Sequence, residues 1–319
     1  TDNNRTLISA MSNFAGMYSR PLARKGTDYA DAQGWPTPYV PVPIHTVDKS
    51  TDHMGDPLTH CNRMDDLWKL GHQTAEYINY ANSDYTQATL NYLRDKTNSN
   101  ADQINPDNIY HIWDGMKCQG IHFPSNVSVW YPWYTDEINQ RTTDINNKNI
   151  QMSQGIWDGG VIDGVDLVHE TRTIRGGPIL NEVVSKANGV LDCYKKSKFG
   201  EVNNCKDGDH FYQRLKYHVI SSHDDTIYAW TTALGATMHI MKNGGYPEYS
   251  SAILTEFFID TRYGGKDPVF RMVFHDDPTV DFRVVTAFIE GCPLGEDFCP
   301  LSVLQGFADK YKPPGGIDA

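Results

Sequence analysis

The run Tyr217-His218-Val219-Ile220-Ser221-Ser222-His223-Asp224-Asp225-Thr226 decides the fold. The apolar, β-branched pair Val219-Ile220 reads as a strand, two serines end it, and a His-Asp pair sits where the chain turns. Thr226 to Ala236 follow with Ile227, Trp230, Ala233 and Leu234 on one side of a helix. A strand that hands polar side chains to a helix N-terminus is a common setting for anion chemistry. Free N–H groups and the positive end of the helix dipole converge on whatever binds there. A plainer reading stays open, in which Asp224 or Asp225 is a helix N-cap and nothing more.

Composition narrows the classes. The 319 residues carry 28 basic and 40 acidic side chains, a formal charge of -12. That length suits one large domain, or a domain with a smaller one inserted, and it is enough for a sizeable core. The acidic balance argues against a nucleic-acid or anionic-membrane partner, since both select for Lys/Arg patches. No apolar run approaches the roughly 20 residues of a membrane helix. The polar start Thr1-Asp2-Asn3-Asn4-Arg5 has no signal-peptide pattern. The expectation is therefore a leader already removed, or a first segment lying elsewhere.

Six cysteines without a C-x-x-C pair point to disulfides in an oxidising compartment rather than to zinc. Cys193/Cys205 and Cys292/Cys299 each bracket a short polar loop and are expected to pair locally. Cys61 and Cys118 remain, to pair with each other or with a cysteine outside this chain. Sequons at Asn4 and Asn126 are compatible with secretion.

Working outward, Leu7, Ala10, Phe14 and Met17 recur at helical spacing, with Thr1 or Asp2 as the cap. Arg5 then falls in the first turn, where a cation opposes the dipole and makes sense if it meets an anion. The Pro-rich run from Trp35 to His45 is a loop. Helical patterning covers Asp65 to about Lys96, the stretch after Asn105-Pro106-Asp107 to near Cys118, and Asp136 to about Met152. Residues 49–155 thus read as a helical insertion, with 1–48 and 156–319 forming an α/β core. Further strands are expected at Ala252–Ile259, Val269–Phe274 and Phe282–Ile289, and a last helix at Leu301–Lys310. Strands among helices indicate an α/β fold, a central mixed sheet flanked by helices with a smaller, mainly α-helical domain inserted.

Six segments then carry a resemblance. Thr1-Asp2-Asn3-Asn4-Arg5-Thr6-Leu7-Ile8-Ser9-Ala10 resembles the S-T-D-x-x-R-T-L-x-S-A segment of the histidine acid phosphatases. Trp35 to Thr46 is similar to their W-x-P-x-P-V-H-T loop, and Gly176-Gly177-Pro178-Ile179-Leu180-Asn181 to their G-G-x-L-x-N helix start. Ser221-Ser222-His223-Asp224-Asp225-Thr226 resembles S-A-H-D-T-T. Leu254-Thr255-Glu256 and Gly291-Cys292 to Leu301 match the late strand and small disulfide loop. The matches fall in family order along nearly the whole chain.

The resemblance implies hydrolysis of phosphate monoesters through a phosphohistidine, formed on the His of an R-H-G-x-R-x-P motif, with no metal or cofactor. It implies that Arg5 and His223 contact phosphate and that Asp224 protonates the leaving alcohol. It also implies a secreted or lysosomal, glycosylated protein that often dimerises. No R-H-G-x-R-x-P occurs in these 319 residues. In the family it precedes the segment with which this sequence begins, so the nucleophile is expected outside this chain, on a preceding or separate N-terminal fragment. The family cysteine before L-T-E is Ala252 here, and its partner position is matched by Cys118, so the disulfide set differs. The alternative function is a catalytically inactive relative that binds a ligand or partner.

Overall fold

A computed structural model of the chain describes residues 3–18, 23–36, 39–55, 61–196, 210–260 and 267–315. In chain order the helical elements begin with α1 (Asn4–Met17), α2 (Asn62–Gly71), α3 (Ala75–Ala81), α4 (Asp84–Thr97), α5 (Tyr110–His122), α6 (Val127–Trp130) and α7 (Asp136–Ser153). A small ribbon, β1 (Val161–Ile162) and β2 (Val165–Asp166), leads to α8 (Leu167–Arg175), α9 (Gly177–Lys196), α10 (His210–Arg214), α11 (Asp224–Ala233) and α12 (Thr237–Ile240). The strands β3 (Ala252–Asp260), β4 (Asp267–His275), β5 (Arg283–Val284) and β6 (Cys299–Pro300) come before the last helix, α13 (Leu301–Lys310). The α/β class expected from the sequence holds. Two compact units are present, Thr1–His60 with Ser185–Thr226, and Cys61–Val184 with Ile227–Ala319.

In the first unit the cap of α1 falls just past the predicted Thr1 or Asp2. Asn3 is the N-cap, its side chain accepting from the Arg5 N–H at 3.2 Å. The expected strand at 217–222 belongs to no ladder among the described residues. A strand exists only through a hydrogen-bonded neighbour; here the side chains of the two serines tie the segment down instead. Most of the Lys195–Lys206 loop, with Cys205, lies outside the described residues.

In the second unit the helical pattern of residues 65–96 resolves into three helices. Thr74 and Ser83 restart the helix as N-caps, accepting from the N–H groups of Tyr77 and Thr86. Leu90 and Leu93 of α4 bury fully against Ile104, Ile109 and Ile145, with Trp133 and Ile138 alongside. On β4, Phe270, Met272 and Phe274 alternate into the core, the period-2 pattern of a strand. Its neighbours are all antiparallel: β3 in register over nine residues on one edge, β5 and β6 on the other. The predicted strand 282–289 shortens to β5, because Thr286 Oγ1 accepts the Met272 N–H at 2.8 Å. That side chain stands in for the next backbone carbonyl and lets the chain turn into a 3₁₀ helix at Thr286–Phe288.

Candidate active site

The site is built in the first unit from two chain segments and a loop. At the start of α1, Thr6 Oγ1 donates to the Asn3 carbonyl at 2.8 Å and Ser9 Oγ to the Arg5 carbonyl at 2.8 Å. Together with the Asn3 cap these bonds fix the first turn. No acidic residue lies in that turn. Arg5, exposed, therefore adds its charge to the positive helix end with nothing on the helix to offset it.

The second segment is the serine doublet. Ser221 Oγ donates to the Thr6 carbonyl at 2.7 Å, fastening the chain beside the residue that follows Arg5. Ser222 Oγ donates to the Gly55 carbonyl at 2.6 Å and lies 2.5 Å from Thr226 Oγ1, itself 3.1 Å from the same carbonyl. Gly55 is locked from the other side, its N–H donating to Asp52 Oδ1 at 2.7 Å. A Cβ at position 55 would stand 2.5 Å from Asp52 Oδ2, so only glycine fits that approach.

Between these ties stands His223. Its Nδ1 lies 3.4 Å from an Arg5 guanidinium nitrogen. Arginine only donates, so this contact makes Nδ1 the acceptor and places the ring proton on Nε2. Asp224 opens α11, one of its oxygens accepting the Asp225 N–H at 3.0 Å. Desolvation by the surrounding protein, and then the Asp225 carboxylate, push the Asp224 carboxyl above the ordinary aspartate range; the hydrogen bond from the Asp225 N–H, and then His223 and Arg5, pull the other way. Its side chain keeps an open solvent face. A guanidinium and an imidazole side by side, next to an acid that holds its proton above the usual range, suit a tetrahedral oxyanion and a proton donor.

The structure thus brings Arg5, His223 and Asp224 together. Sequence reasoning missed their supports, Ser221, Ser222, Thr226, Gly55 and Asp52. The available signal was two hydroxyl side chains immediately before the histidine. Among the described residues no group of three or more His, Cys, Asp or Glu is placed to hold a metal ion, and no helix is long and apolar enough to cross a membrane.

The sequence matches the family described as histidine phosphatase superfamily (branch 2) over residues 1–275. The chain belongs to that superfamily. It is similar to the Caenorhabditis elegans protein named "Putative acid phosphatase 10", at 27% identity over 320 residues that cover 98% of this chain and 73% of the relative. It is also similar to testicular acid phosphatase of Mus musculus, at 23% over 328 residues, covering 98% and 63%. Lysosomal acid phosphatase of Xenopus laevis is 24% identical over 259 residues, covering 81% and 49%.

In this histidine phosphatase the Cys292–Cys299 pair forms the expected local disulfide, its Cα atoms 5.3 Å apart. The partner expected for Cys193, Cys205, is outside the described residues. Cys61 and Cys118 do not pair with each other, and both are free within this chain. Cys61 caps α2, whereas Cys118 on α5 turns its sulfur to Tyr249, 3.6 Å from the hydroxyl, and to Asp114 at 4.0 Å. Of the sequon residues, Asn4 is exposed in the first turn of α1 and Asn126 is half-buried before α6.

Proposed function

We propose that this histidine phosphatase hydrolyses phosphate monoesters as an acid phosphatase. Arg5 and His223 hold the phosphoryl oxygens, and Asp224 donates the proton to the leaving alcohol. The observation that carries the reading is the 3.4 Å approach of Arg5 to His223 Nδ1, beside an aspartate whose carboxyl is held above its usual range. The remaining guanidinium N–H groups of Arg5 and the Nε2–H of His223 are donors side by side, which suits a transferring phosphoryl group whose charge spreads over its oxygens.

In the first step the nucleophilic histidine of an R-H-G-x-R-x-P segment, outside residues 1–319, forms an N–P bond as the ester P–O bond breaks. The leaving oxygen takes the Asp224 proton. In the second step water, giving its proton to Asp224, attacks phosphorus as the N–P bond breaks, so that the histidine is regenerated and inorganic phosphate leaves. The Cys292–Cys299 disulfide and the lysosomal relative support an oxidising location, secreted or lysosomal.

The test has two readouts. The protein should release p-nitrophenol from p-nitrophenyl phosphate at about pH 5, and millimolar phosphate should raise its melting temperature. Protection by phosphate without turnover would favour the ligand-binding alternative. Neither protection nor turnover would sink the claim that Arg5 and His223 face an anion site.

A further inference from the structure

The stretch Phe123-Pro124-Ser125-Asn126-Val127-Ser128-Val129-Trp130 runs from the end of α5 through α6 and turns large apolar side chains to water. Phe123 is 47% exposed, Trp130 51% and Val129 71%. The rings of Phe123 and Trp130 stand 5.5 Å apart, so they form one apolar surface rather than two scattered residues. Such a surface marks a place that something covers. No Asp, Glu, Lys or Arg occurs from Gln119 to Thr135, so the cover is met without fixed charge.

The backbone ties Asn126 to both ring-bearing residues. Pro124 opens a tight turn in which the Asn126 N–H donates to the Phe123 carbonyl at 2.9 Å, and such a turn keeps its first and fourth Cα atoms within about 7 Å. On the other side the Trp130 N–H donates to the Asn126 carbonyl at 2.8 Å, the helical spacing that sets residues i and i+4 on one face. Asn126 stands at the cap position of α6, where an asparagine usually bonds its side chain back to the helix, yet it makes no such bond. Its amide is not committed to the helix. Ser128, exposed, completes the acceptor pattern Asn-X-Ser with a valine between.

We infer that Asn126 carries an N-linked glycan whose first N-acetylglucosamine lies against the Phe123–Trp130 pair. That sugar is neutral and presents a face of C–H groups, which suits flat apolar rings. In the attachment step Asn126 Nδ2 bonds to C1 of the sugar as C1 parts from the oxygen of a polyprenyl-diphosphate-linked oligosaccharide. The amide gives up one proton, and the polyprenyl diphosphate leaves with the bonding electrons. The inference rests on the secreted or lysosomal location proposed above, where that donor is met.

The full-length protein is expressed in mammalian cells that leave high-mannose glycans, and its digest is read by mass spectrometry before and after peptide N-glycosidase F. Asn126 should appear as a glycopeptide, and after the enzyme as aspartate. The same digest shows whether Cys292 and Cys299 are joined. A bare Asn126 beside the intact disulfide would overturn the inference and leave the location standing; a bare Asn126 with both cysteines reduced would overturn both. The packing has a readout of its own. Endoglycosidase H trims the glycan to one N-acetylglucosamine, and that form should melt about 2 °C above Asn126→Gln and above Ser128→Ala, which keeps the asparagine and removes the acceptor pattern. With Phe123→Ala or Trp130→Ala, both at exposed positions, the gain from the sugar should fall by about half or more. No gain, or a gain that both ring variants leave unchanged, would overturn the placement of the sugar on the rings. Neither readout needs turnover, so both stand apart from the phosphatase chemistry.

Discussion

The hydroxyl knot around Gly55 gives a prediction whose size follows from the geometry. Ser222→Ala removes a hydroxyl 2.6 Å from the Gly55 carbonyl, but Thr226 Oγ1 remains 3.1 Å from that oxygen and its proton is free to turn there. The carbonyl keeps a donor, and the cost is one net hydrogen bond, about 1 kcal/mol. Thr226→Val keeps the shape and the β-branching and leaves Ser222 as the donor, again costing about 1 kcal/mol. The double variant leaves the carbonyl with neither hydroxyl, which adds about 1–3 kcal/mol. Stabilities of the four proteins are measured by urea denaturation followed by circular dichroism and tryptophan fluorescence, with the slopes compared first. The double variant should be less stable than the sum of the singles by about 1 kcal/mol or more, because the two residues share one acceptor. Additivity within about 0.5 kcal/mol would refute the shared-acceptor reasoning.

Three further outcomes are expected. As a general acid Asp224 must carry its proton, so turnover of p-nitrophenyl phosphate should fall as pH rises through the raised Asp224 value, and Asp224→Asn should remove most of the rate. The same shift has a stability sign: the folded state binds this proton more tightly than the unfolded one, so its contribution is full below the ordinary aspartate pKa and declines above it. Asp224→Asn should then gain in melting temperature relative to wild type toward neutral pH, and an unchanged difference between acid and neutral pH would contradict the shift. Arg5→Ala should weaken phosphate binding by roughly 10- to 100-fold, the loss of a charge-assisted hydrogen bond, read as lost protection in a thermal titration with phosphate. Cys292→Ser with Cys299→Ser opens a loop of sequence separation 7 and should cost roughly 2–3 kcal/mol by the chain-entropy relation, measured as a shifted denaturation midpoint; no shift would mean that the surrounding contacts alone set the loop.

What was legible in the sequence had local causes. Leu301–Lys310 and Asp136–Ser153 are read nearly to the residue, because a 3.6-residue pattern and, for α7, the Thr135 cap lie within the segment itself. The strands β3 and β4 are visible for the same reason, in runs of apolar and β-branched residues, though not their pairing. Residues 217–222 were misread as a laddered strand because pairing depends on a neighbour that local pattern does not reveal. The breaks at Thr74 and Ser83 were missed because a threonine or serine inside a helical pattern looks the same whether it caps a helix or sits within one. Arg5, His223 and Asp224 were legible through six ordered segments. Gly55, 168 residues from His223 by number, was not, since nothing in the run Met54-Gly55-Asp56 signals that its carbonyl anchors two distant hydroxyls.

Strand β4 has a consequence of its own. It is matched over its full nine residues by β3 on one edge, and on the other by β5 near one end and β6 near the other, with Thr286 filling part of the span between. A strand clasped on both edges cannot peel away alone; both β3 and the short strands must unzip before it is released. The order of unravelling in this unit is therefore written into its borders, with β4 as the last piece of the sheet to come loose and the first whose assembly the rest must await.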